Sequence, residues 1–298
     1  MGNQKICLLG ATGFIGSSIS DALTEANLDW IGLTRHPSSH KNLQQVSYED
    51  ATIVCEIINE YPVVINALGS LKPKDFICDF KNSLESFWTM NNVLETLLSN
   101  SNLEKLVHIS SAGTVYGETS KRSSEENDLL FPKSWYGRTK VIEENQLAQL
   151  CIRKKIPFLC ARISNPFGNA NTTFHGFIDV LLDSIRRNEG FKTYFGEQTC
   201  RNFIYAPDMA RLILRLILNG SHGIYNIGSE NSTYLADILD MVKKKVEDID
   251  IKYEHLNTNT DVINNTISVE KIKNNLDLKT TSEINVFDYI NDQIEKMS

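Results

Sequence analysis

Tyr136 and Lys140 are the two residues of this sequence whose side chains are best suited to exchanging a proton with a bound molecule. They stand four positions apart at the start of a predicted helix, and residues with that spacing share one helix face. A nearby ammonium favours a phenolate, so we expect Lys140 to lower the pKa of Tyr136. Tyr136 could then act as base or acid at a carbinol or carbonyl. Surface helices often carry this spacing by chance, so its meaning depends on its surroundings.

A glycine-rich turn near the start of the chain supplies such surroundings. Residues 10–16 read Gly-Ala-Thr-Gly-Phe-Ile-Gly and stand between a predicted strand and a predicted helix. Glycines let a backbone approach a pyrophosphate, and the start of a helix offers N–H groups and a positive dipole end to phosphate. This pattern predicts a dinucleotide site. Its expected contact residues are Gly10, Thr12, Gly13, Phe14, Ile15 and Gly16.

The end of the second predicted strand bears on which dinucleotide binds. An acidic residue there would hold the ribose 2′-hydroxyl of NAD. The sequence has Leu33-Thr34-Arg35-His36 instead. Arg35 could meet the 2′-phosphate of NADP or cover the adenine ring. The sequence therefore predicts NAD(P) and leaves the choice open.

Short apolar runs alternate with amphipathic segments in the first half of the chain. This alternation is typical of βαβ units, and it predicts an α/β fold with a Rossmann-type, doubly wound parallel sheet. Residues 1–164 are predicted to form the dinucleotide-binding domain, with residues about 200–225 returning to it. Residues 165–298 are predicted to form a smaller C-terminal, substrate-binding lobe. Strands are predicted at residues 5–9, 30–33, 63–67, 106–109 and 158–163, and helices at 17–25, 53–60, 84–98 and 141–153.

Composition narrows the classes of partner. The chain has 298 residues, 30 lysines and arginines, and 37 aspartates and glutamates, for a net charge of −7. Nucleic-acid binding is not expected, because it needs clustered basic residues. No run is long enough for a membrane helix or a signal-peptide core, so we expect no membrane partner and a cytoplasmic location. The six cysteines form no C-x-x-C pair, and the histidines show no zinc-ligand spacing.

The glycine turn and five ordered motifs after it together give the chain a family resemblance. After the glycine turn come His-Ile-Ser-Ser-Ala-Gly-Thr-Val-Tyr-Gly at residues 108–117 and Tyr-Gly-Arg-Thr-Lys at 136–140. Arg-Ile-Ser-Asn-Pro-Phe-Gly follows at 162–168, a stretch with Arg-Asn-Phe-Ile-Tyr at 196–208, and Tyr-Asn-Ile-Gly at 225–228. Over residues 5 to about 245 the chain resembles an extended short-chain dehydrogenase/reductase of the NAD-dependent epimerase/dehydratase family. Within it, the chain resembles the branch of UDP-sugar 4-epimerases and sugar-nucleotide dehydratases.

The resemblance implies roles for residues outside the glycine turn. Tyr136 and Lys140 would be catalytic, with Lys140 also holding the nicotinamide ribose. Asn165 would contact the substrate diphosphate, and Arg201 a substrate phosphate. The family's catalytic serine or threonine position holds Ala112 here. The hydroxyl would then come from Ser111, with Thr114 second and Ser110 third.

Two further departures concern the substrate side. Asn202 stands where the family has an aspartate, and residues 257–271 lack the family's second phosphate-binding arginine. The charge of a substrate diphosphate would then be balanced differently, or by Arg201 and Arg162 alone.

The resemblance implies an enzyme acting on a nucleotide-diphosphate sugar, foremost an epimerase at C4 of a UDP-hexose or UDP-N-acetylhexosamine. The alternative is an NADPH-dependent 4-keto-sugar-nucleotide reductase. A catalytically silent dinucleotide sensor is a third hypothesis. A dehydratase is disfavoured, since Ala-Gly at 112–113 replaces that branch's Asp-Glu pair. Such enzymes often pair through two long helices, which here are residues 84–98 and 141–153, so a homodimer is expected.

Overall fold

The structure is a computed structural model. It describes residues 4–69, 71–119, 122–169, 176–193, 198–246, 249–253 and 262–297. The strands are β1 Lys5–Leu9, β2 Asp29–Thr34, β3 Leu43–Gln45, β4 Val63–Asn66, β5 Lys105–Ser111, β6 Phe158–Ile163, β7 Asn165–Phe167, β8 Phe191–Thr193, β9 Cys200–Tyr205, β10 Gly223–Ile227, β11 Ser232–Tyr234, β12 Ile251–Tyr253 and β13 Asn264–Asn265.

The helices range from single turns to segments of 21 residues. They are α1 Phe14–Glu25, α2 Ala51–Glu60, α3 Pro73–Cys78, α4 Phe80–Asn100, α5 Ala112–Val115, α6 Trp135–Lys154, α7 Gly176–Arg186, α8 Ala206–Leu218, α9 Leu235–Lys245, α10 Glu270–Leu276 and α11 Val286–Glu295.

Seven parallel strands form the main sheet in the order β10-β6-β5-β4-β1-β2-β3. The inner strands β1 and β4 carry apolar side chains on both faces because helices cover both. Helices α1 and α8 lie on one face, and α2, α4 and α6 on the other. The predicted doubly wound, Rossmann-type sheet is confirmed.

The chain order reverses between β1 and β4. The connections after these two strands leave in opposite directions, which opens a crevice at their carboxyl ends. Such a crevice is where this kind of sheet binds ligands, so the first candidate site lies there.

A second group of strands follows the main sheet in sequence. Strands β11, β9 and β13 pair with one another and β7 joins β9, while β8 pairs with β12. Helices α7, α9 and α11 pack on them around a separate apolar core. Strand β10 lies in the main sheet, α8 packs in the main core, and β9 lies in the smaller sheet. The division into a dinucleotide-binding domain and a substrate lobe stays a prediction.

Two of the differences from the predicted elements have clear physical reasons. Strand β3 was not predicted, because its Leu-Gln-Gln sequence is mostly polar; it lies at the sheet edge, where polar side chains face solvent. Helix α1 begins at Phe14 rather than residue 17, since the glycine turn leads directly into the first helical turn.

Candidate active site

The glycine turn forms a closely fitted connection between β1 and α1. Gly10 has a φ of +79°, and a β-carbon there would lie 2.7 Å from the carbonyl oxygen of Ala67. A β-carbon on Gly16 would lie 2.0 Å from the carbonyl oxygen of Gly10. Only glycine permits this backbone approach. No side chain in the described part of the chain caps the start of α1 at Gly13.

This cradle fits a dinucleotide pyrophosphate. Helix α1 starts in the crevice without a side-chain cap, so its first N–H groups and its dipole are directed at the place where phosphate would bind. The predicted contact residues therefore share one turn. The Thr12 hydroxyl lies 3.2 Å from that of Thr34 at the end of β2. Arg35 follows on the surface and makes no ion pair in the described part of the chain.

Tyr48 holds the glycine turn in place through hydrogen bonds, a role that was not predicted from the sequence. Its hydroxyl accepts a hydrogen bond from the Gly10 N–H at 3.1 Å and donates to the Leu33 carbonyl at 3.0 Å. Burial raises the pKa of the Tyr48 phenol to about 12, so the hydroxyl keeps its proton and both bonds. No spacing rule connects position 48 to position 10, so no sequence signal could have found this contact.

Helix α6 carries the Tyr–Lys pair into the same crevice. It begins where the Ser134 hydroxyl accepts a hydrogen bond from the Gly137 N–H at 3.1 Å, a common helix start. The Lys140 Nζ lies 5.8 Å from the centre of the Tyr136 ring. It would lie 3.7 Å from a β-carbon on Gly69, just beyond β4. Both the glycine turn and Lys140 therefore meet the chain leaving β4.

The acid–base balance of Tyr136 differs from the sequence prediction. Burial raises the pKa of its phenol, while Lys140 lowers it and Glu143 raises it. The lysine acts in the predicted direction, but burial outweighs it and the net pKa is raised. Lys140 also has a second partner, because its ammonium donates to Glu143 at 2.7 Å. Burial lowers the pKa of Lys140, but Glu143 and Tyr136 more than offset this and the net pKa is raised.

The hydroxyls of Ser110, Ser111 and Thr114, near the end of β5, differ in their hydrogen-bond partners. The Ser110 hydroxyl donates to the buried carboxylate of Glu144. The Thr114 hydroxyl donates to the Ser111 carbonyl at 3.4 Å. The Ser111 hydroxyl has no hydrogen-bond partner among the described residues and is partly exposed. Of the three candidates, Ser111 has the hydroxyl that a substrate could use.

Asn165 lies beside this hydroxyl. A β-carbon on Gly113 would be 3.7 Å from Asn165 Oδ1 and 3.9 Å from Ser111 Oγ. The bare Gly113 backbone therefore keeps a small space open between the two side chains. The Asn165 amide donates to the Asn202 carbonyl at 2.7 Å, which fixes its orientation. The start of α6 packs against the same segment, since a β-carbon on Gly137 would lie 2.7 Å from the Thr114 carbonyl oxygen.

The predicted substrate arginine is held by the backbone. The Arg201 guanidinium donates to the carbonyls of Cys200, Val262 and Ile263, which anchor it at the edge of β9. Its phosphate-binding role stays a prediction. Gly196 at the start of this motif and residues 257–261 lie outside the described residues.

Asn202 replaces the family's aspartate with a group that suits its position. It is fully buried; its amide N–H donates to the Ser229 and Asn231 carbonyls, and its Oδ1 accepts from the Ser229 N–H. A carboxylate could not donate these bonds. Asn202 is therefore a structural residue that ties β9 to the chain after β10.

Arg162 is a core residue, which corrects the suggestion that it helps to balance substrate charge. Its side chain is 3% exposed, and its Nη2 lies 2.7 Å from Glu144 Oε2. Its Nη1 donates to the Tyr116 hydroxyl at 2.9 Å and to the Glu126 carbonyl at 3.2 Å. With its donors used inside the protein, Arg162 cannot meet a substrate phosphate.

Two other kinds of site are not found in the described residues. No group of three or more His, Cys, Asp or Glu side chains there could hold a metal ion. None of the helices described is long and apolar enough to cross a membrane.

Comparison with known proteins finds relatives and solved structures that are similar over most of the chain. A Methanocaldococcus jannaschii protein named as a UDP-glucose 4-epimerase is 28% identical over 253 residues, which cover 81% of this chain and 82% of the relative. The dTDP-4-dehydro-6-deoxyglucose reductase of Escherichia coli is 25% identical over 259 residues, 81% of either chain. The Thermus thermophilus UDP-glucose 4-epimerase, solved in complex with NAD, shares the fold, with a TM-score of 0.86 at 19% identity and 98% coverage of both chains.

The family profile covers the whole of the site described above. The NAD dependent epimerase/dehydratase family matches residues 6–228, from β1 through β10. This family consists of extended short-chain dehydrogenase/reductase enzymes that act on nucleotide sugars, and NAD is the cofactor its description names. The sequence, the sheet and the glycine turn thus converge, and the chain belongs to the NAD-dependent epimerase/dehydratase family.

Proposed function

We propose that this protein is an NAD-dependent nucleotide-sugar epimerase that inverts C4 of a UDP-hexose or UDP-N-acetylhexosamine. The observation that carries the proposal is the position of Ser111 beside Asn165, on the segment against which the helix of Tyr136 and Lys140 packs. The Ser111 hydroxyl has no hydrogen-bond partner among the described residues. A hydroxyl donor, a phenol and an ammonium in one crevice are the groups needed to move a proton and a hydride at a carbinol carbon.

Each residue has a distinct part in the proposed reaction. Tyr136 takes the proton of the C4 hydroxyl and later returns it to the same oxygen, while Ser111 donates a hydrogen bond to that oxygen. Lys140 holds the nicotinamide ribose and favours the phenolate form of Tyr136. The 4-keto sugar would turn over in the site, and bound NAD would supply a hydride acceptor and donor, so that the hydride taken from C4 is given back to the opposite face. Because burial raises the pKa of Tyr136, turnover is expected to rise with pH through the neutral range.

The glycine turn and the residues of the smaller lobe hold the two ligands. Gly10, Gly13 and Gly16 give backbone access to the dinucleotide phosphates, and Thr12, Phe14 and Ile15 complete that turn. Asn165 is proposed to contact the sugar-nucleotide diphosphate. Arg201 already donates to three backbone carbonyls, so its contribution to binding a substrate phosphate should be smaller than that of Asn165.

A substrate panel tests the proposal. The protein is incubated with UDP-glucose, UDP-galactose and their N-acetyl forms, and the C4 stereochemistry of the sugar is followed by proton NMR. Interconversion without added NADH is expected, and Tyr136→Phe should abolish it while circular dichroism stays unchanged. Turnover at the wild-type rate in this variant would refute the assignment of Tyr136.

A 4-keto-sugar-nucleotide reductase using NADPH is the second candidate. Two observations favour it: Arg35, not an acid, follows β2, and the E. coli relative is a reductase. A fall in absorbance at 340 nm that corresponds to one NADPH oxidised for each 4-keto substrate consumed would support the reductase over the epimerase. Dinucleotide binding without turnover of any nucleotide sugar would instead support a regulatory sensor.

We also propose that the enzyme is a cytoplasmic homodimer. Helices α4 and α6 lie side by side on one face of the sheet, and α4 exposes Phe80 and Trp88. Pairing of these helices with a second copy would cover those aromatic rings. Sedimentation equilibrium would test this, with a mass of 33.7 kDa arguing for a monomer.

A further inference from the structure

Glu143 has no part in the proposed reaction, yet it makes the closest contact to Lys140. The Lys140 ammonium donates to Glu143 Oε2 at 2.7 Å, one helical turn further along α6. The two side chains are only 9% and 17% exposed, so solvent screens their interaction less than it would on an open surface.

A buried histidine stands behind Glu143. The His108 Nε2 lies 3.7 Å from the same Oε2 and has no hydrogen-bond partner among the described residues. The Leu68 N–H donates to Asn66 Oδ1, so the Asn66 amide nitrogen donates to His108 Nδ1 at 3.1 Å. The hydrogen of His108 is thereby assigned to Nε2, where it faces Glu143.

Among the described groups around Lys140, Glu143 is the carboxylate that balances the charge of its ammonium. Burial, reinforced by Lys140, lowers the pKa of His108 well below its usual value, so the imidazole is neutral. Glu144 is paired with Arg162. The titratable groups that face Lys140 are Tyr136, Glu143 and Glu144 on α6, His108 on β5 and Cys160 on β6.

We propose that Glu143 is a positioning residue that holds Lys140 and neutralises its charge, so that the site accepts oxidised as well as reduced dinucleotide. The inference rests on the proposed role of Lys140 at the nicotinamide ribose. The nicotinamide ring is cationic in NAD⁺ and neutral in NADH. An uncompensated ammonium would therefore repel the oxidised form alone. Glu143 removes this bias, as an enzyme that recycles its cofactor requires.

The test compares the two cofactor forms directly and needs no sugar. Nucleotide retained from purification is first removed; the protein is then equilibrated with equal concentrations of NAD⁺ and NADH and separated from free nucleotide. It is then denatured, and the released forms are quantified by chromatography. Glu143→Gln is expected to shift the bound ratio about tenfold toward NADH. Asp183→Asn is the matched control. Asp183 lies on α7, is 16% exposed and is 2.8 Å from Arg187. It should leave the ratio unchanged.

A second pair of variants makes the result independent of the stability of Glu143→Gln. Lys140→Met should favour NAD⁺, and adding Glu143→Gln to it should return the ratio to near the wild-type value. An unchanged ratio in Glu143→Gln, or between Lys140→Met and the double variant, would overturn the inference. Equal losses of both forms would indicate a merely structural role and would also overturn it. If the wild-type protein turns over no UDP-sugar but the ratio of bound NAD⁺ to NADH shifts as expected in the variants, the result would count against the proposed epimerase alone. A wild-type protein that binds neither form would reject both.

Discussion

Ser110 and Ser111 are consecutive residues at the end of β5, yet their hydroxyls face opposite surroundings. The Ser110 hydroxyl donates to the Glu144 carboxylate in the core, whereas the Ser111 hydroxyl faces the space beside Asn165. Successive residues of a strand point to opposite faces, which accounts for the difference. The strand geometry thus selects one serine for the core and one for the crevice.

Replacing Ser111 tests this selection. Ser111→Ala should lower kcat about 100-fold, because it removes the donor to the reacting oxygen. Thr114→Val should lower kcat less than about threefold, since the Thr114 hydroxyl already binds the Ser111 carbonyl. Both rates are measured with the sugar that wild type converts. A larger loss in Thr114→Val than in Ser111→Ala would reverse the assignment.

Arg35 provides a test of cofactor choice. In an NAD-dependent enzyme, Arg35→Ala should change NAD affinity less than about threefold, because an exposed side chain contributes little without a phosphate partner. NADP affinity should fall about tenfold, since the arginine is the group that could bind the 2′-phosphate. Calorimetric titration with both cofactors measures this. A wild-type preference for NADP that the variant loses would favour the reductase.

His108 is expected to make the protein less stable in mild acid. Burial holds the pKa of His108 well below the usual 6.5, so below that pH the unfolded chain takes up a proton that the folded chain does not. Stability is therefore full above pH 6.5 and falls as the pH drops toward the folded value, by about 1.4 kcal/mol for each pH unit.

Urea unfolding at pH 7.5 and 5.5 measures this dependence. The His108→Gln variant should lose less stability than wild type between the two pH values, because glutamine does not titrate. Parallel losses in the two proteins would mean that other groups cause the acid sensitivity.

The Arg162–Glu144 pair should be important for folding rather than for chemistry. Both side chains are buried, so Glu144→Gln leaves the guanidinium without its counter-charge and should destabilise the protein by about 3–5 kcal/mol. Glu85→Gln removes a highly exposed pair with Lys81 and should cause no measurable change. Unfolding free energies that fall equally in the two variants would contradict the burial argument.

Much of the Rossmann-type half of the fold could be predicted from the sequence, because its signals are local. The apolar runs of β1 and β6 predicted both ends of each strand correctly, and the glycine turn lies between a strand and a helix as expected. The turn and the Tyr136–Lys140 pair were each encoded in one short segment. Strand β3 was missed because pairing at an edge does not require an apolar run.

The rest of the site depends on contacts between residues distant in sequence. Tyr48 reaches Gly10 across 38 positions, and Arg162 is drawn into the core by Glu144, Tyr116 and Glu126. Motif spacing gives residue types but not which donors the fold has already used. For the same reason the sequence favoured Ser111 over Ser110 without showing which groups the two hydroxyls contact, and it could not reveal that Glu143 is a partner of Lys140.

The fate of the cofactor in one turnover tests the central claim most directly. The protein is purified without added nucleotide and denatured, the released nucleotide is identified by mass, and absorbance at 340 nm is followed while a UDP-sugar is converted. The epimerase account predicts retained NAD and no net change in absorbance as product accumulates. An empty site that needs NADPH, with one NADPH oxidised for each sugar converted, would contradict it.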